Sequence, residues 1–112
     1  MKDSLRRFRD DRDWVKFHDP RNLAEAISIE AAELLELFLW KTPDEVAAAL
    51  RADQGLRDAI EQELADVICF SLNLANSFDI DVSQIVQKKM EQNRKKYPIA
   101  KAKGVATKYD KL

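Results

Sequence analysis

The chain has 112 residues, of which 46% are hydrophobic and 35% are charged, and it contains only two glycines and three prolines. This length predicts a single domain, and a composition so poor in turn-forming residues predicts an all-α fold. The single cysteine, Cys69, excludes an intramolecular disulfide. The charged start MKDSLRRFRDDRDW and the lack of any long apolar run argue against a signal peptide and a membrane span, so we expect a cytoplasmic protein that does not bind membranes.

Charge is unevenly distributed along the chain, although the formal net charge is only −1. Residues 86–112 hold nine lysines and arginines against two acids, so the remaining residues carry the excess of acid. This segregation suits an anionic ligand held between an acidic, metal-binding half and a basic end. A solvated basic tail would give the same pattern.

Two helices are predicted in the first 40 residues. The first runs from Ser4 to about Lys16, where apolar residues recur on one side and charged residues on the other. Asp19 is expected to cap a second helix, which has Pro20 at its first position and runs to about Trp40.

Three further helices are predicted after Thr42. The segment PDEVAAALRA is typical of a short helix, and Gly55 marks the turn that follows it. A third long helix is predicted over about residues 56–78 and a fourth over about residues 82–97.

Four long helices joined by short links predict an antiparallel four-helix bundle, with the short helix inserted between the second and the third. We expect residues 1–98 to form this single domain and residues 99–112 to form an irregular basic arm. The end of the second helix, residues 34–40, is apolar on nearly all sides and must be covered from more than one direction. Because a chain this small has few other helices to cover it, we expect a homo-oligomer.

Two pairs of acids interrupt the apolar stripes of the second and third helices. At about 100° per residue, Glu30 falls on the stripe of the second helix, and Glu33 lies beside it. Glu63 and Asp66 repeat this spacing on the third helix. Two helices therefore each direct an acidic pair at the bundle interior. Each acid alone is more typical of a boundary side chain that reaches water.

Four converging carboxylates in a partly dry interior cannot all stay ionised unless cations offset their repulsion. An all-oxygen ligand set suits Mg²⁺, with Mn²⁺ as a substitute, and Mg²⁺ shares its ligands readily with phosphate oxygens. A di-iron bundle would need Glu-x-x-His pairs, whereas the only histidine, His18, lies in a predicted loop. Glu36, three residues after Glu33, is a candidate for a supporting or additional ligand.

The inner stripe of the fourth helix carries Lys89, Asn93 and Tyr97, spaced four residues apart. A lysine, an amide and a phenol directed at an acidic metal site suit a polyphosphate chain. Alternatively, Lys89 extends past the core and belongs to a solvated basic face. Nucleic-acid binding is not expected, because the acidic half would repel a long polyanion.

Three aromatic or imidazole side chains are candidates for the walls of a pocket for a flat, hydrogen-bonding ring. Trp14 and His18 flank a predicted loop, and Trp40 closes the second helix. Phe70, on the stripe of the third helix, is more typical of a core position.

Three segments carry a resemblance to a known family: FRDDRDWVKFHDPRNLAEAISIEAAELLELFLWK, ELADVICF and KKMEQNRKKYP. In this order they resemble the MazG-like all-α nucleoside triphosphate pyrophosphohydrolases, in particular their short single-domain, dCTP-type branch. The resemblance covers about residues 5–98. It implies a helical bundle assembled as a tetramer from two tight dimers, Mg²⁺ dependence, and cleavage of a nucleoside triphosphate to the monophosphate and pyrophosphate.

By position, the resemblance implies that the metal ligands are Glu30, Glu33, Glu63 and Asp66. Many relatives begin this signature with a glutamate doublet, and here its first member is Ile29. Any role of that additional acid is therefore missing from this chain.

The resemblance also implies a set of substrate-binding residues. Those on the phosphate side are Lys89, Asn93 and Tyr97. Those lining the base and sugar pocket, partly across a subunit boundary, are Trp14, His18 and Trp40. Phe70 stands in this region where dCTP-type proteins tend to have a tyrosine, so a hydroxyl that would help to fix the ligand is absent.

We therefore expect metal-assisted hydrolysis at the α-phosphorus of a nucleoside triphosphate, with a dCTP-like substrate favoured and Glu33 or Glu63 acting on the attacking water. The family suggests a role in removing unwanted nucleotides. One alternative is a non-catalytic helical assembly module whose acids lie at a polar subunit interface. Another is a related pyrophosphohydrolase that acts on dUTP or a phosphoribosyl nucleotide.

Overall fold

The computed structural model describes residues 1–112 and contains helices, turns and no strand. The all-α prediction is confirmed. The α-helices are α1 (Lys2–Asp11), α2 (Pro20–Glu36), α3 (Pro43–Ala52), α4 (Gly55–Ser77), α5 (Val82–Lys96) and α6 (Ile99–Ala102), and two 3-10 turns cover Val15–Phe17 and Tyr109–Lys111. None of these helices combines the length and the apolar character that crossing a membrane requires.

The chain divides into two compact units, Met1–Asp79 and Ile80–Leu112. In the first unit, α2 packs chiefly against α4, which also contacts α1 and α3. The short α3 is the helix predicted between the second and third long helices. The bundle arrangement of the four long helices and the extent of a single domain over residues 1–98 stay predictions.

Three helices begin at side-chain caps. The Asp19 carboxylate accepts a hydrogen bond from the Asn22 amide at 2.8 Å, as the sequence predicted for the start of α2. Thr42 caps α3 through the Glu45 amide, and Asp81 caps α5 through the Gln84 amide. Each such cap stabilises the fold by roughly 0.5–2 kcal/mol, because it satisfies an N–H that has no partner within the helix.

The first helix ends at Asp11, so the predicted continuation to Lys16 is wrong. Asp13 adopts a left-handed backbone with φ of 52°. The Trp14 amide donates to the Arg9 carbonyl at 3.0 Å, and the Asp13 amide donates to the Asp10 carbonyl at 3.1 Å. This hydrogen-bond pair is a Schellman motif, and the Trp14 ring packs edge-on against Phe8 with the ring centroids 5.7 Å apart. The chain therefore turns back on α1 and holds Trp14 against it.

The second helix ends at Glu36 rather than near Trp40. The amides of Leu37 and Phe38 bond to carbonyls three residues back, which tightens the last turn. Trp40 follows with a left-handed φ of 62°. The apolar pattern continues through this stretch, so periodicity alone does not reveal where the helix stops.

Few side chains of the single chain are buried. The apolar ones are Leu23, Leu72 and Ala75, and the polar ones are Asn73 and Asn76. Many large apolar side chains remain exposed, among them Ile29 and Leu35 on α2 and Trp40 just beyond it.

Asn76 links α4 to α1. Its Nδ2 donates to the Lys2 carbonyl at 3.1 Å, and its Oδ1 accepts from Arg6 Nη2 at 3.2 Å. Arg6 also lies 3.6 Å from an Asp79 carboxylate oxygen. These contacts fix α1 along the end of α4.

In the second unit, the C-terminal arm folds back toward the end of α5. The arm was expected to be irregular, but it contains α6 and the 3-10 turn at Tyr109–Lys111. The Tyr109 ring packs edge-on against Tyr97, with the centroids 6.2 Å apart, and Lys96 Nζ lies 4.6 Å from the Tyr109 ring centroid. Aromatic and cation–π contacts therefore hold the arm in place.

Candidate functional site

Three carboxylates meet where α2 packs against α4. Glu30 and Glu33 lie one helical turn apart on α2, and Glu63 reaches them from α4. One carboxylate oxygen from each of the three lies within 4.8 Å of the others. The structure thus brings together three of the four acids that the sequence singled out.

The proton affinity of Glu30 reflects this crowding. Hydrogen bonding to Glu63 and then to Glu33, followed by burial and by the charges of Glu33 and Asp66, raises the pKa of Glu30 to about 7. The Oε2 atoms of Glu30 and Glu63 are buried and have no hydrogen-bond partner. Buried carboxylate oxygens without donors need either a proton or a cation. The set consists only of oxygen ligands, so these residues fit a hard divalent cation.

Asp66, the fourth predicted acid, lies outside the group of three. Its side chain is exposed, and its charge contributes to the raised pKa of Glu30. Asp66 also lines a cavity next to the carboxylates. It therefore connects the acidic cluster with this cavity.

The cavity has a volume of about 330 Å³ and lies between α1, the turn after it and α4. Its wall combines three aromatic rings with several polar side chains. The rings are Phe8, Trp14 and Phe70, and the polar residues are Arg9, His18, Asp66 and Asn73. Such a mixture of flat apolar surfaces and a few polar groups is typical of a small-molecule site.

His18 presents a neutral imidazole to this cavity near pH 7. Burial and, after it, the positive charge of Arg9 lower the pKa of His18 below its usual value of 6.5. Its Nδ1 is buried without a hydrogen-bond partner. The imidazole can therefore bond a neutral polar ligand group but is not suited to hold a negative charge.

Trp40, in the same compact unit as the cavity, does not line it. The Trp40 side chain is 96% exposed at the end of the turn after α2. Lys89 and Asn93 are exposed on α5, and the exposed Tyr97 directly follows it; all three belong to the second compact unit.

The sequence reasoning missed Phe8, Arg9 and Asn73 as cavity residues. Asn73 carried a usable signal, since it lies on α4 one turn beyond Phe70 in an otherwise apolar stretch. Arg9 carried none, because it is one of many charged residues in a charged helix.

Comparison with known proteins gives concordant matches. Residues 26–112 match the model of the MazG-like family. The chain is 41% identical over 105 residues to dCTP pyrophosphatase 1 of Bos taurus and 39% identical over 105 residues to that of Homo sapiens. These alignments cover 94% of this chain but only 62% and 61% of the two relatives, so the chain spans about three-fifths of their length.

A solved structure also matches. The crystal structure of a pyrophosphatase from Archaeoglobus fulgidus is similar to this chain with a TM-score of 0.76 at 46% sequence identity. The match covers 86% of this chain and 87% of the archaeal one. The similarity therefore extends over most of both molecules.

Proposed function

Since the chain belongs to the MazG-like family, we propose that it is a Mg²⁺-dependent nucleoside triphosphate pyrophosphohydrolase. It cleaves a deoxynucleoside or nucleoside triphosphate to the monophosphate and pyrophosphate. The observation that carries this proposal is the meeting of Glu30, Glu33 and Glu63 within 4.8 Å beside an aromatic cavity. The similarity to dCTP pyrophosphatase 1 and to a pyrophosphatase supports it and favours a dCTP-like substrate.

Glu30, Glu33, Glu63 and Asp66 would hold the metal. Bound Mg²⁺, or Mn²⁺ in its place, supplies positive charge to the phosphates and lowers the pKa of bound water. Glu33 or Glu63 accepts a proton from the water that attacks the α-phosphorus. As the new P–O bond forms, the bond to the β-phosphate oxygen breaks and pyrophosphate leaves.

The remaining site residues bind the rest of the nucleotide. In this proposal Trp14 and Phe70 flank the base, and His18 bonds a neutral polar group on the base or sugar. Lys89, Asn93 and Tyr97 bind the phosphate side, and Trp40 contributes from a neighbouring subunit. The protein assembles as a homotetramer of two dimers and removes unwanted nucleotides in the cytoplasm.

A panel of nucleotides with detection of released pyrophosphate tests this function directly. We expect release from at least one dNTP in Mg²⁺ and none in excess EDTA. A chain that releases pyrophosphate from no nucleotide would favour the assembly-module alternative. A preference for dUTP or a phosphoribosyl nucleotide would favour the related pyrophosphohydrolase.

The variant Glu63→Gln tests the site within the same assay. Removing one charged ligand is expected to lower kcat/KM by at least about 100-fold, because a neutral amide binds Mg²⁺ poorly and cannot accept the proton. Glu61→Gln is the matched control, since Glu61 lies on the same helix but is exposed and paired with Arg57 at 3.1 Å. Full turnover by Glu63→Gln would contradict the assignment.

A further inference from the structure

Two asparagines of α4, Asn73 and Asn76, are almost fully buried, with 9% and 6% of their surface exposed. Their hydrogen bonding differs completely. The Asn76 amide is satisfied at both ends by Arg6 and by the Lys2 carbonyl. The Oδ1 atom of Asn73 is buried and has no partner.

An unpartnered buried acceptor is unfavourable for folding, by roughly 1–3 kcal/mol. Asparagine is also a poor helix former, so a leucine or alanine at position 73 would suit α4 better. The contacts within the fold therefore give no reason for an amide at this position. An amide that is satisfied only when a ligand binds would account for it.

The surroundings of Asn73 indicate which ligand group it meets. Asn73 lines the cavity together with the rings of Phe8, Trp14 and Phe70. Aromatic walls suit a planar heteroaromatic ring, and the free carbonyl oxygen of the amide requires a donor from that ring. Cytosine carries such a donor, its exocyclic amino group, whereas uracil and thymine carry a carbonyl oxygen at the same position.

We propose that Asn73 is a specificity-determining residue whose Oδ1 accepts a hydrogen bond from the exocyclic amino group of the base. This inference rests on the proposed function and narrows its substrate class to amino-bearing bases, with dCTP preferred over dUTP. The opposing carbonyl of uracil would face the amide oxygen and leave both acceptors unsatisfied.

The test compares dCTP with the triphosphate of pyrimidin-2-one deoxyriboside, which lacks only the amino group. For the wild-type protein, kcat/KM is expected to be at least about tenfold higher for dCTP, the ratio that one buried hydrogen bond supplies. In Asn73→Ala the two substrates are expected to differ by less than about twofold. An unchanged ratio in Asn73→Ala would overturn the role of this residue.

Asn76→Ala is the matched control, because it removes a buried amide from the same helix. It is expected to keep the wild-type substrate ratio and to lower the melting temperature, since it breaks two hydrogen bonds. Asn73→Ala is expected to melt at or above the wild-type temperature. A lower melting temperature for Asn73→Ala than for Asn76→Ala would show a structural role instead.

The possible failures are distinguishable. If the wild-type protein releases pyrophosphate from no nucleotide, the proposed function fails and this inference fails with it. If it hydrolyses dUTP and dCTP with equal kcat/KM, only the proposed recognition of the amino group by Asn73 is wrong.

Discussion

Glu30 retains its proton to a higher pH than an isolated glutamate does, because its neighbours are carboxyl groups. Hydrogen bonding to Glu63 is the largest cause of the raised pKa, followed by hydrogen bonding to Glu33. In the absence of a cation, the shared proton keeps the cluster from collecting three negative charges. The residues that suit a divalent cation thus bind a proton when the cation is absent.

This proton predicts how the stability of the metal-free protein depends on pH. The pKa of Glu30 rises from its ordinary 4.5 to about 7 on folding, so between these values the folded chain binds a proton that the unfolded chain has lost. The stabilisation is therefore complete below about pH 4.5 and is lost as the pH rises through about 7. In EDTA, the melting temperature of the wild type, taken relative to that of Glu30→Gln, is therefore expected to fall as the pH rises from about 4.5 to about 7. A difference that is constant with pH would contradict the prediction.

The starts of α2, α3 and α5 followed from local sequence, whereas the ends of α1 and α2 did not. Asp19 and its following proline identify the start of α2 because a cap is a contact between near neighbours. The ends of α1 and α2 instead depend on left-handed residues, Asp13 and Trp40, where no glycine announces the turn. The hydrophobic pattern continues past both points. A helix length read from the hydrophobic pattern is therefore too long for both α1 and α2.

The left-handed residue after α1 can be tested by two substitutions at one position. Asp13 has φ of 52°, a conformation that glycine adopts freely and a β-branched residue strongly resists. Asp13→Val is expected to lower the free energy of unfolding by roughly 1–2 kcal/mol. Asp13→Gly is expected to leave it within about 0.5 kcal/mol of wild type, because the ion pair with Lys16 that it also removes is exposed. Equal stability of the two variants in chemical denaturation would contradict the assigned turn.

The turn after α1 also has a functional consequence, because it places Trp14 on the cavity wall. The sequence identified Trp14 and His18 as wall residues from their loop position, but the backbone that joins them to α1 depends on the hydrogen bond that the Trp14 amide donates to the Arg9 carbonyl. Arg9 was not predicted for a related reason. Its role arises only when α1 and α4 come together, and no local pattern encodes that pairing.

At the scale of the whole molecule, the single chain leaves too much apolar surface in water. Leu35 is 59% exposed and Trp40 is 96% exposed, although the second helix is apolar on nearly all sides at this end. Trp40 also occupies a left-handed backbone position, which a large L-residue adopts only at a cost in free energy. No contact within one chain offsets this backbone strain, because the Trp40 ring touches almost none of the chain. A second copy of the chain is the simplest partner that would cover the ring.

Mixed oligomers can establish whether Trp40 serves the site of a neighbouring subunit. Trp40→Gly relieves the backbone strain and removes the ring, so this variant is expected to fold normally but to bind substrate weakly. Glu63→Gln is expected to be inactive. If one site uses Glu63 from one subunit and Trp40 from the other, co-expressing the two variants restores one intact site in each hybrid dimer. Random pairing then leaves about a quarter of the wild-type number of sites intact in the whole mixture, and about a half in the purified hybrid dimer.

The readout is the rate of pyrophosphate release from the purified hybrid, compared with the sum of the rates of the two separate variants. An excess over that sum requires a shared site, because neither variant chain holds a complete set of residues by itself. Co-expressing Trp40→Gly with Glu61→Gln provides the control for assembly, since Glu61 faces solvent in an ion pair with Arg57. Two affinity tags verify that the preparation contains mixed oligomers. If such a hybrid is no more active than its parents, Trp40 does not contribute to the site of a neighbouring subunit. The exposed ring would then require a different partner.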